Sequence, residues 1–198
     1  MRVIAALGLV VAMAGPLQGE QAGFPAGFDV DFDALFAAHA GRVQTPAPEV
    51  QHLEMPGPVI ITRRMVDGRA QYQASDMSGQ GAVACAMSVM LDVLVLAGHC
   101  PDVLDRAAIT RLEGLIHAHG VFMAQNTYPP VPAGQVAERL KSMVRARDAA
   151  TAAYDCPLPD AADSQVVDLA RAITSPRAVR RMQQGLSRPR LPVLHPCL

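Results

Sequence analysis

A chain of 198 residues is long enough for one domain with additional segments, and 51% hydrophobic residues supply ample material for a core. With 4% aromatics and no tryptophan that core must be built from Ala, Val, Leu and Met, a composition that favours close-packed helices and argues against a β-sandwich. The formal net charge is −1; Lys141 is the single lysine against sixteen arginines, a bias of composition that keeps any one arginine from being read as selected.

The first residues have the pattern of a secretory leader. Arg2 is the charged start, Val3 to Val11 the apolar stretch, and Ala12-Met13-Ala14 a small-x-small cleavage site before Gly15, with a second site after Ala22. The apolar stretch is too short to span a bilayer, and no cysteine follows it to carry a lipid. The expectation is a signal peptide over 1–14 and a periplasmic or secreted protein, whose formal charge after cleavage is −2.

Residues 15–57 are rich in Pro and Gly. Within them FDVDFDALFAAHA, 28 to 40, predicts one short helix. Phe28, Phe32 and Phe36 recur at i, i+4 and i+8 and make one apolar stripe, suited to docking on the core or into a partner's groove. Pro46, Pro48, Pro56 and Pro58 read as an extended linker. Residues 58–75 then predict a β-hairpin. Val59-Ile60-Ile61-Thr62 has strand composition, and Asp67-Gly68 suits a type I′ turn, whose two central residues need positive φ.

A helical domain is expected over 80–186, organised around GAVACAMSVMLDVLVLAGHC, 81 to 100. That stretch is apolar on nearly all sides, with Asp92 its only charge, so it belongs in a protein core or a membrane. It falls just short of the ~20 apolar residues of a span, and Asp92 would lie near the bilayer centre, which favours the core. Gly98 and Pro101 read as its stop. Helices follow over 102–125 with Asp102 as N-cap, over 135–154, over about 163–173, and from the Ser175-Pro176 pair to Gly185. Residues 187–198 form a Pro-rich tail.

The four cysteines, Cys85, Cys100, Cys156 and Cys197, contain no C-x-x-C, and in an exported protein they read as two disulfides. If the two helices after the central one form an antiparallel hairpin, Cys100 meets Cys156. Elimination then leaves Cys197 to staple the tail to Cys85. The fold expected is mainly α: a small orthogonal or antiparallel helical bundle around a buried central helix, with one β-hairpin and two disulfides.

Three constellations bear on function. Cys85, Ser88, Asp92 and His99 share one face of the central helix, but side chains stacked along one helix do not converge as a catalytic triad must. A small envelope hydrolase using Asp92, Glu113 and His119 from two touching helices is the enzymatic alternative. Met87, Met90, His119 and Met123 offer soft ligands for a copper carrier, although methionine at helical spacing is usually core filling. The third is charge asymmetry. Residues 15–100 hold nine acids and four bases, whereas no acid follows Asp168 and Arg171, Arg177, Arg180, Arg181, Arg188 and Arg190 add six positive charges. The leading expectation is a non-catalytic binding or accessory protein that uses Arg177, Arg180 and Arg181 toward an acidic protein or anionic envelope component. No nucleic acid, cofactor or stable membrane span is expected.

Overall fold

The computed structural model describes residues 27–151, 156 and 164–197; the expected leader lies outside them. Among these residues six helices (55%) stand with a four-stranded antiparallel sheet (17%). The fold is therefore mixed α/β, and the expectation of a mainly α bundle with one hairpin is corrected.

The sheet is a meander of β1 (Gln44–Ala47), β2 (Val50–Met55), β3 (Val59–Val66) and β4 (Arg69–Asp76) in sequential order. The β3–β4 hairpin is the one expected, with Asp67 at φ 51° and Gly68 at φ 74°. What was read as a linker is β1 and β2, with β2 pairing β3 from Val50↔Arg64 to Met55↔Val59. The prolines do not interrupt this sheet because none needs to donate inside it. Pro46 lies in the edge strand, Pro48 in the first turn, and Pro56 and Pro58 flank Gly57 in the second.

The row Leu53, Ile61, Ala74 faces inward and is buried under α1 (Phe32–Ala38), which contributes Phe32, Leu35 and Phe36. Tyr72 of β4 stacks on Phe32 at 5.1 Å between ring centroids and donates its hydroxyl hydrogen to Asp33. Burial, then the Asp33 carboxylate, push the Tyr72 phenol up to about 12, so it remains a donor. Phe28 does not extend the stripe. It precedes the helix, held where Thr127 Oγ1 donates to its carbonyl at 3.0 Å, and it packs in the other core.

That second core is helical. Its centre is α2 (Val83–His99), surrounded by α3 (Arg106–Asn126), α4 (Val136–Thr151), α5 (Ser164–Thr174) and α6 (Pro176–Gly185). The all-round apolarity of α2 follows from its place between the cores. Ala82 and Cys85 at its start face the sheet core, while Met87, Met90, Leu91 and Leu96 fill the helical one. No helix among the described residues is long and apolar enough to cross a membrane. Gly98 stays inside the helix, and the cap is Cys100, whose N–H returns to the Leu96 carbonyl. Asp105, not Asp102, caps α3 and accepts the Ala108 N–H at 2.6 Å. The antiparallel approach of α3 and α4 is close: a Cβ on Gly120 would stand 2.9 Å from the Leu140 methyls.

Two disulfides are present, Cys100–Cys156 and Cys85–Cys197, with Cα–Cα separations of 5.6 and 5.4 Å. The second brings the C-terminal tail between β4 and the start of α2. Ala82 has no side chain to cap α2, so the Ala84 N–H goes to the Val193 carbonyl at 3.1 Å. Asp76 N–H donates to His195 O at 2.7 Å, forming a parallel bridge that covers one end of the β4 edge.

Arg190, counted above among the bases of the tail, is buried and locks this region. Its Nε donates to Asp76 Oδ2 at 2.6 Å, Nη1 to Gly185 O at 2.6 Å and Nη2 to Gly81 O at 3.1 Å. Both side chains of the Arg190–Asp76 pair are 1% exposed. Gly57, at φ 108°, lies so close that a Cβ there would collide with the Arg190 side chain. Removing one partner of such a pair strands a buried charge. Arg190→Ala is expected to lower unfolding free energy by about 3–5 kcal/mol in urea titrations. Asp76→Asn with Arg190→Met should lose less than either single change.

Candidate functional site

α6 begins on a strong local signal. Ser175 Oγ accepts the Ala178 N–H at 3.3 Å and Pro176 occupies the first helical position. Val179 and Gly185 then face the core, with Met182 packed beside them. At 100° per residue the opposite side carries Arg177, Arg180, Arg181 and Gln184, all exposed. None of these three arginines makes a hydrogen bond or ion pair among the described residues. Arg188 is also exposed, just beyond the helix. The sequence thus placed three guanidiniums on one helix, and the fold leaves all three free and pointing outward. Arg190 does not join them.

The other candidates are distributed differently. Arg147 of α4 takes up the polar face of α2: its Nη2 donates to Ser88 Oγ at 2.6 Å and its Nε lies 3.1 Å from Asp92 Oδ1. Burial pushes the Asp92 carboxyl up from its ordinary value, and the Arg147 charge pulls against that. His99 Nε2 meets Asp148 Oδ1 at 2.8 Å, again between α2 and α4. Among the described residues no hydrogen bond or ion pair joins Asp92, Glu113 and His119. Glu113 is exposed, while His119 is buried on α3 and bonded within its own helix. Met87, Met90 and Met123 are fully buried among the leucines of the helical core. Among the described residues no three His, Cys, Asp or Glu side chains converge as a metal site.

Two residues that organise the interior were missed in the sequence. Arg147 lies 59 residues from Ser88, so nothing beside it in the sequence reports that partner or Asp92. Arg190 sits in RPRLPVL, where the alternation of Leu191 and Val193, both buried, is the signal of an extended segment laid on a core.

Compared with protein-family models, with curated proteins and with solved structures, the chain matches none.

The environment of His119 has a measurable consequence. Its Nδ1–H donates to Leu115 O at 2.9 Å. Burial first, with the nearby Arg190 charge adding to it, lowers the imidazole to about 4 despite that bond. The folded chain therefore resists a proton that the unfolded chain accepts near 6.5. Stability from this group is complete above 6.5 and falls as the pH drops toward 4, by up to about 3 kcal/mol at ~1.4 kcal/mol per unit. Denaturant titrations at pH 7 and 4.5 are expected to show a flatter pH dependence for His119→Gln than for the wild type.

Proposed function

We propose that this chain is an exported binding or accessory protein that engages an anionic partner, an acidic protein or an envelope component, through the outer face of α6. The observation that carries this reading is the set Arg177, Arg180 and Arg181, exposed together with no acid beside them on the helix and none in the chain after Asp168. A solvated helix surface normally mixes both signs and neutralises itself through i,i+3 and i,i+4 pairs. Here Arg177 to Arg180 and Arg177 to Arg181 repeat one sign at those spacings, a repulsion that an anionic partner relieves. Export is supported by the leader-like residues 1–14 and by two disulfides, which persist in oxidising compartments.

The formal net charge of −1 makes the test discriminating, since retention on a polyanion requires a local basic patch. The wild type should be retained on immobilised polyglutamate and on lipopolysaccharide at low salt and released as salt rises. With Arg177, Arg180 and Arg181 all changed to Gln, retention should be lost while circular dichroism and thermal midpoint stay near wild type. Unchanged retention of the triple variant would overturn the reading.

A further inference from the structure

A second feature, independent of the α6 face, has a different chemistry. Between the start of α3 and the end of α5 opens a cleft of about 370 Å³, within the size range of small-molecule sites. Among the described residues it is lined by the carboxylates of Asp102 and Asp105, the guanidiniums of Arg111 and Arg171, and the small side chains of Ala108 and Thr174.

The acidic side is rigidly built. Cys100 is tied to Cys156, the Val103 N–H donates to Cys100 O at 3.1 Å, and Val103 and Leu104 are buried. Asp105 is fixed by its cap bond to Ala108. The loop carrying both carboxylates is thus held by a disulfide, two apolar anchors and a helix start. Arg111 Nε donates to Thr174 O at 2.8 Å, which orients the guanidinium and leaves both its terminal amino groups without a partner among the described residues. Arg171 stands three residues before Thr174 on α5 and makes no hydrogen bond or ion pair among the described residues; nor does Asp102.

Two carboxylates and two guanidiniums therefore line one cleft, and no ion pair joins them across it. A lone anion placed there meets the aspartates, and a lone cation meets the arginines. A molecule carrying both charges satisfies both kinds of group, its carboxylate taken by the planar fork of Arg111 and its ammonium by the aspartates. We propose that this cleft binds a small zwitterion of the class of free α-amino acids and short unblocked peptides.

The test is titration of the full, disulfide-bonded chain with alanine and with alanyl-alanine, followed at the backbone amides of residues 103 to 108 by nuclear magnetic resonance. The dipeptide with free termini, or alanine itself, should produce saturable shifts. N-acetylated and C-amidated alanyl-alanine should each bind at least tenfold more weakly. Asp102→Asn and Arg171→Gln, which break no bond within the fold, should each weaken binding of the free ligand. No saturable shift with either probe, blocked peptides that bind as well as the free one, or binding untouched by both substitutions would overturn the proposal.

Discussion

The contact on which the rest of the structure depends is the buried pair of Arg190 and Asp76. Taking both charges out of water is costly, and their attraction repays that cost only when the remaining donors and acceptors are also met. Here they are. Asp76 Oδ1 accepts the Ser78 N–H at 2.7 Å, and the guanidinium reaches Gly185 O and Gly81 O besides Asp76. Its Cζ also lies 5.5 Å from the Phe122 ring centroid. One side chain of the tail thereby connects the end of β4, the lead into α2, the end of α6 and the last turns of α3. Such a pair adds little net stability over an apolar substitute, but losing either partner alone leaves a buried charge without compensation.

Much of the helical part was legible because its signals are local. Ser175-Pro176 marked the start of α6, and the apolar run ending near His99 marked α2. The cysteine pairing followed from which helix ends an antiparallel hairpin brings together. What failed was anything set by partners distant in sequence. β1 and β2 were hidden by four prolines, each standing at an edge or turn where a strand tolerates it. Asp102 resembled a helix cap as well as Asp105 did, and only the buried Val103 and Leu104 decide between them. Arg190 looked like one more base in a basic tail, since nothing near it in sequence reports that Asp76, 114 residues earlier, awaits it.

The same distinction separates the two surfaces. On α6 the sequence pattern is itself the site, because an exposed helical face needs no long-range partner to be read. The cleft between α3 and α5 is assembled from residues up to 72 positions apart, Asp102 to Thr174, and depends on the Cys100–Cys156 bond beneath it. The two disulfides hold different things in place: one fixes the loop that lines the cleft, and the other ties down the tail that carries Arg190. Both tie chain ends or loops to α2, the helix shared by the two cores.

The Arg190–Asp76 pair makes the tail part of the cooperative core, beyond what its disulfide does. The most direct measurement is hydrogen exchange in a chain with Cys85 and Cys197 both changed to Ser. The tail is then held by the ion pair, its backbone bonds and the packing of Leu191 and Val193. The amides of Asp76 and Ala84, which donate to the tail, are expected to stay as protected as those in the centre of α3. Rapid exchange at those two positions while α3 stays protected would contradict it.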